Sequence, residues 1–290
     1  LDSKTPGKLK ITDREEKYEI TVVAKSSTGN TYDGTSKSAT GFVTTTFTVD
    51  GNTYTVSGLT TSNPSSINVC SLTNAISGTA VVKDAAGNDV TDQFEVNTTN
   101  GTLSIVARHV TVSVADAEDV EYDGSEHEGV TTYTFSNVAT GDTASITYTA
   151  AKGTLADTYT GSYGEDFAVE NGDGDDVTSN YVLDSKTPGK LTIKDREEKY
   201  EITVVANSNT GNTYDGTSKS ATGFVTTTFT VDGNTYTVEG LTTSDPSSIN
   251  VCSLTNAISG TAVVKDAAGN DVTSQFTVTT TNGTLSIVAR

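Results

Sequence analysis

Phe47-Thr48-Val49-Asp50-Gly51-Asn52-Thr53-Tyr54-Thr55-Val56 alternates large and small side chains on either side of an Asp-Gly pair. A period of two puts one set of side chains on one face of a strand. Asp-Gly supplies the positive φ angles that a two-residue hairpin turn requires. The stretch therefore predicts two antiparallel strands joined by a tight turn. The same alternation runs through Tyr18, Ile20 and Val22, and through Val110, Val112 and Val114. Phe94 and Val96 lead through Asn100-Gly101 to Leu103 and Ile105, which reads as a second hairpin with a slightly longer loop. Helical apolar spacing is not sustained anywhere, and the best candidate for a helical turn is the charged segment Asp195 to Glu201. The predicted class is all-β.

Composition agrees with that class. Of 290 residues 33% are hydrophobic, Trp and Met are absent, and Thr, Val and Gly are abundant, which suits thin β-layers in two or three domains. The formal net charge of −19 repels phosphate backbones and anionic headgroups, so neither a nucleic-acid partner nor direct membrane contact is expected. Between His109 and Val182 there are 15 Asp and Glu against the single Lys152, and this segment holds most of the excess.

The chain repeats. Residues 1–108 and 183–290 are offset by 182 and differ at nine positions. A weaker repeat lies between them. Tyr-Asp-Gly begins at Tyr32, Tyr122 and Tyr214, Asp-Val-Thr at Asp89, Asp176 and Asp271, and Gly-x-Leu-x-Ile at Gly101, Gly189 and Gly283. Three landmarks in one order, three times, predict three domains of similar size. The expected boundaries are 18–108 (type A), 109–198 (type B) and 199–290 (type A), with 1–17 as the closing strand of a preceding type-B repeat. Neither junction contains the Gly, Pro or Ser of a flexible linker, so a fairly stiff rod of small sandwiches is expected. Cys70 and Cys252 occupy the same position in the two type-A copies and are expected to be buried small hydrophobes, not a disulfide. No secretory signal or membrane-spanning run is visible, and the chain, which begins at Leu1, is read as a segment of a longer protein.

Type B carries Val110-Thr-Val-Ser-Val, Val120-Glu-Tyr-Asp-Gly, Asp157-Thr-Tyr-Thr-Gly, Asp176-Val-Thr-Ser-Asn-Tyr and Pro188-Gly-Lys-Leu-Thr-Ile193. In this order they resemble the YDG and MBG repeat modules of bacterial surface adhesins, and the likeness extends over the whole chain three times. The resemblance implies Ig-like spacer domains in a long, anchored, extracellular protein, with no catalytic residues. Type A departs from the pattern between Thr60 and Ile76.

Candidate sites are few. Tyr32-Asp33-Gly34, Tyr122-Asp123-Gly124 and Tyr214-Asp215-Gly216 are either ligand-contacting aromatics or a packed Tyr before a turn, and recurrence in every repeat favours the structural role. In Asn171-Gly-Asp-Gly-Asp-Asp176 the carboxylates of Asp173, Asp175 and Asp176 offer oxygens to calcium, although the spacing is not that of an EF-hand. A solvated acidic loop is the plainer reading, so no cofactor is expected. His109 and His127 are the only histidines and neither type-A copy has one, so no His-based catalytic or metal site can be built there. Gln93 and Gln275 leave a Thr–Gln ester cross-link open. The expected function is a monomeric, non-enzymatic stalk whose partners are its own neighbouring repeats. The alternative is that the repeats themselves bind a host glycan or protein multivalently.

Overall fold

The computed structural model describes residues 7–290. Among them the regular structure is β, with three single 3-10 turns and no α-helix. Contacts divide the chain into two compact units whose boundary falls inside the middle repeat. The first holds Leu1–Val112, Thr134–Thr147 and Gly164–Lys186, and the second Ser113–Tyr133, Tyr148–Tyr163 and Thr187–Arg290.

Within the first unit the type-A repeat is built from β1 (Tyr18–Val23), β2 (Ser27–Thr31), β3 (Lys37–Ser38), β4 (Thr46–Val49), β5 (Asn52–Thr61), β6 (Ser65–Ser66), β7 (Cys70–Asn74), β8 (Ile76–Lys83), β9 (Phe94–Thr99) and β10 (Gly101–Val106). The predicted β4–β5 hairpin is present, with Val49 opposite Asn52 and with Asp50 and Gly51 at φ 46° and 77°. β5 also pairs antiparallel with β8, and β10 lies between β2 and β7. Two of the pairings are parallel, β1 with β9 and β2 with β10.

The second expected hairpin does not form. β9 pairs with β1 and β10 with β2 and β7, so the chain leaves one sheet and enters another at Asn100. A single residue between the strands cannot make a two-residue turn, and neither Asn100 nor Gly101 has positive φ. Asn100 Oδ1 instead accepts the Ile76 N–H. Gly101 is there because the backbone crowds it: a Cβ would stand 2.2 Å from the Lys25 carbonyl oxygen. The expected helical turn at 195–201 is also absent. The 3-10 turns follow the Asp-Val-Thr landmarks, at Thr91–Gln93, Thr178–Asn180 and Thr273–Gln275. There the Asp carboxylate accepts the backbone N–H of the Thr two residues on, a side-chain turn that starts the helix without a cap.

The middle segment contains β11 (Arg108–Ser113), β12 (Val120–Glu121), β13 (His127–Glu128), β14 (Thr134–Ser136), β15 (Thr143–Ser145), β16 (Tyr148–Thr149), β17 (Lys152–Gly153), β18 (Asp157–Thr160), β19 (Ser162–Tyr163), β20 (Ala168–Glu170), β21 (Tyr181–Thr187) and β22 (Lys190–Lys194). Its pairings β11–β21, β12–β22–β18 and β13–β17 match β1–β9, β2–β10–β7 and β3–β6 of the type-A repeat. The third repeat, from Tyr200–Val205 to Gly283–Val288, follows the type-A pattern in register.

Nearly identical sequence does not fold identically everywhere. Residues 1–6 of the expected strand remnant lie outside the described residues. Residues 7–14 belong to no strand, and Leu9 and Ile11 are 90% and 86% exposed. Their counterparts Leu191 and Ile193 lie in β22 between β12 and β18 and are 1% and 2% exposed. Strand formation here depends on partners more than on propensity. The cysteines are free and half-buried, and Ile67, Val69 and Leu72 around the first are exposed, so that stretch is not core as expected.

Candidate functional site: the Tyr-Asp-Gly turns

Each Tyr-Asp-Gly landmark is a turn fixed by its own aspartate. The carboxylate accepts the backbone N–H two residues on, from Thr35, Ser125 and Thr217. A cationic or titratable side chain four residues on completes each turn. Lys37 lies 2.7 Å from Asp33, His127 3.0 Å from Asp123 and Lys219 3.0 Å from Asp215. Lys37, with Thr35, holds the Asp33 carboxyl well below the usual carboxylate range, and Thr217 with Lys219 does the same for Asp215. Burial opposes the shift at Asp123, yet Ser125 and His127 still lower it. The glycines sit at φ 76°, 79° and 75°, where a side chain is strained.

The tyrosines differ. Tyr32 and Tyr122 are each 1% exposed, whereas Tyr214 is 42% exposed. What covers the first two comes from the next repeat along the chain. Tyr32 joins Leu103 and Ile105 of its own repeat to Val110, Ala139, Val169 and Tyr181 in one apolar cluster of the first unit. Its ring meets Tyr181 edge-on at 5.3 Å, a favoured aromatic geometry. Its hydroxyl donates to Asp142 Oδ2 at 3.1 Å, and the Tyr181 hydroxyl donates to the same oxygen at 2.6 Å. Burial, then the Asp142 carboxylate, pushes the Tyr32 phenol up to about 12. The Tyr181 phenol is raised for the same reasons.

Backbone and amide contacts close the seam. Arg108 Nε donates to the Tyr32 carbonyl at 2.7 Å and its Nη1 to Asn137 Oδ1 at 2.8 Å. The Val69 N–H donates to Asn180 Oδ1, and Asn180 Nδ2 to Asn68 Oδ1. Asn180 is 2% exposed, so a polar residue is buried only because both of its amide ends are satisfied.

The second unit repeats the plan with other residues. Tyr122, Leu191 and Ile193 share a cluster with Ile202, Tyr236, Val238 and Phe276. The hydroxyls of Tyr122 and Tyr236 lie 3.3 Å apart. Arg196 Nη1 donates to the Tyr122 carbonyl at 3.0 Å, and Asn234 Nδ2 to the Asp123 carbonyl at 3.1 Å. Gly124 packs so closely that a Cβ would stand 2.3 Å from the Tyr236 hydroxyl. Burial, then Tyr236, raises the Tyr122 phenol strongly. Gln275 Nε2 donates to Asp195 and its Oε1 accepts the Arg196 N–H, so this amide anchors the segment entering the third repeat. Gln93 makes the same two bonds to Asp13 and Arg14.

A shallow cleft of about 480 Å³ borders Tyr32 and is lined by Asp142, Asp173, Asp175 and Asp176. The carboxylates of Asp142 and Asp176 are engaged, and Asp175 Oδ2 accepts from Asn171 Nδ2 at 3.3 Å. Asp142 serves the two tyrosines, Asp176 accepts from Thr178, and Asn171 closes its own loop by accepting the N–H groups of Asp173 and Asp175. Among the described residues no group of three or more His, Cys, Asp or Glu could hold a metal ion, and no buried side-chain polar atom lacks a partner. His109 lies 2.7 Å from Asp184 on the surface.

The sequence marks the tyrosines but not their partners. Asp142 and Asn137 carry no motif and occur in the middle repeat alone, where no internal copy flags them, whereas Asn180 lies in the Asp-Val-Thr-Ser-Asn-Tyr segment and Asn234 in the Asp-Gly-Asn hairpin repeated at Asn52. Arg108 recurs as Arg290 and Arg196 as Arg14. No protein-family model matches the chain, and no curated protein matches it.

Proposed function

We propose that the chain is a run of tandem Ig-like β-sandwich repeats forming the stalk of a large bacterial cell-surface adhesin, outside the cell, with no enzymatic role. The observation that carries this reading is the burial of Tyr32 and Tyr122, each 1% exposed, against the repeat that follows. A side chain that recurs in every repeat and is consumed by the next repeat acts as a joint. Its phenol is then out of reach of an outside ligand. A joint with an apolar ring, a shared carboxylate and paired amides resists bending more than a Gly/Ser linker does. A spacer needs that property in order to hold a distal binding region away from the cell. The adhesin context rests on the resemblance of the Tyr-Asp-Gly, Asp-Val-Thr and Gly-x-Leu-x-Ile series to YDG and MBG modules.

Small-angle scattering tests the reading together with a glycan and matrix-protein array. A compact chain of this length has a radius of gyration of about 19 Å. A monomer well above that value, with no reproducible ligand, is the expected result. A compact particle, or binding retained by chains lacking the turn tyrosines, would overturn it.

A further inference from the structure

Two features of the first repeat are filled in its sequence twin and open in itself. The first is the segment Lys8-Leu9-Lys10-Ile11-Thr12. Its counterpart, Lys190–Lys194, is the closing strand of the middle repeat, parallel to Val120–Glu121 and antiparallel to Asp157–Thr160. The two segments differ only at 10/192 and 12/194. Those positions are not the buried ones: Thr192 lies across from Thr158, and Lys194 reaches Asp119 at the surface. The inward residues are Leu and Ile in both.

The second feature is a cleft of about 380 Å³ lined by Asn52, Tyr54, Asp84 and Ala86. Its counterpart beside Asn234 and Tyr236 is about 190 Å³, and there Tyr122 and Gly124 line the space. Asn234 donates to the turn carbonyl of Asp123, and Arg196 to that of Tyr122. Arg14 repeats the Arg196 contacts to its own repeat, donating from Nε to the Glu16 carbonyl and from Nη1 to the Tyr18 hydroxyl. Among the described residues it meets no turn carbonyl. Asn52 likewise turns back to the Asp50 carbonyl.

We propose that this end of the first repeat is a docking surface for a type-B body equivalent to residues 109–182, which carries the type-B strands as far as the first two residues of β21 and lacks β22. Lys8–Thr12 enters that body as its closing strand, with Leu9 and Ile11 facing inward. The body's Tyr-Asp-Gly turn enters the Tyr54 cleft, its Tyr and Asp carbonyls accepting from Arg14 and Asn52. The inference rests on the joint reading above and adds a donated strand to it: each type-B repeat is closed by a strand that leads directly into the next type-A repeat.

The test extends the full chain by placing residues 109–182 ahead of Leu1. Hydrogen exchange is followed on peptides that end at Ile11 and Ile193, which differ at 10/192 alone and are therefore separable by mass. The amides of Leu9 and Ile11 are expected to slow to the rates of Leu191 and Ile193, on the order of a hundredfold or more, the contrast between a frayed segment and a core strand. Unchanged exchange at Leu9 and Ile11 overturns the proposal, whether or not the added body is itself protected. In the same extended chain, L9D with I11D is expected to split the peptides of 109–182, which then occur twice, into a fast-exchanging population from the added body and an unchanged one, and to leave residues 18–108 and 199–290 unaffected. An added body that stays protected in that variant also overturns the proposal. Elongation of the unextended chain in scattering stands or falls separately.

Discussion

Tyr32 and Tyr214 occupy the same position in two nearly identical sequences, and only one is covered. Truncating each to alanine therefore separates the role of the tyrosine in its own repeat from its role at the joint. At Tyr32 the loss is a fully buried ring in contact with Tyr181 and a hydroxyl bond to Asp142. Removing a buried aromatic costs about 3–5 kcal/mol. At Tyr214, 42% exposed, the ring gives up only part of its burial, and about 1–2 kcal/mol is expected. The difference, about 2–3 kcal/mol, corresponds to roughly 30- to 150-fold in a local opening equilibrium. A single unfolding midpoint is a poor readout in a chain of several repeats. Hydrogen exchange in 134–147 and 164–182 is better, because these segments belong to the unit that holds Tyr32 and occur once in the sequence. Y32A is expected to accelerate exchange there by that factor, and Y214A to leave it unchanged. Equal acceleration by both variants, or none by Y32A, would refute the assignment of the turn to a joint.

Three further outcomes follow from the same geometry. G34A and G124A both force alanine to φ near +77°, costing about 1–2 kcal/mol. Only Gly124 also faces a tyrosine hydroxyl at 2.3 Å, so G124A should lower the melting temperature clearly more than G34A, and equal shifts would contradict the packing described. The Tyr32 phenol is raised from its ordinary value near 10 to about 12 by burial and then by Asp142. The fold favours its neutral form, so this stabilisation is complete below pH 10 and is lost as pH rises from 10 to 12. Alkaline spectrophotometric titration should show some of the 12 tyrosines ionising late and together with unfolding, and a single unperturbed titration would count against it. In the Asn171–Asp176 loop, which Asn171 closes through the backbone N–H groups of Asp173 and Asp175 and whose carboxylates are not gathered as a metal-holding group, calcium in place of a chelator should leave the thermal midpoint where it is. A rise of several degrees would show that the loop holds the ion.

Local signals were legible and long-range ones were not. The Asp50-Gly51 turn could be read because its φ requirement is met by two adjacent residues. Asn100-Gly101 looked the same in sequence, yet Gly101 answers to the carbonyls of Ala24 and Lys25, contacts that no local window contains. The parallel pairings were invisible for the same reason, since alternation specifies a strand and not its neighbour. For the candidate site, repetition located the three tyrosines and the turn behind each. It could not show that Tyr32 and Tyr122 are buried while Tyr214 is exposed, because that difference lies in which repeat comes next. Charge misled at 195–201, where Asp195 and Arg196 are held by Gln275 and not by a helical ladder.

The parallel pairing of β2 with β10 has a mechanical consequence. Antiparallel end strands present the entering and leaving chain at the same edge of a ladder, and traction peels their hydrogen bonds apart one at a time. The entering strand β1 and the leaving strand β10 are each paired in parallel, with β9 and β2, so traction along the chain loads both ladders in shear and their bonds must yield together. β1 with β9 adds six more residue pairs in the same orientation. Force spectroscopy on the chain should therefore show few, high rupture events per repeat instead of a gradual extension. A repeat wired in this way is suited to carry tension.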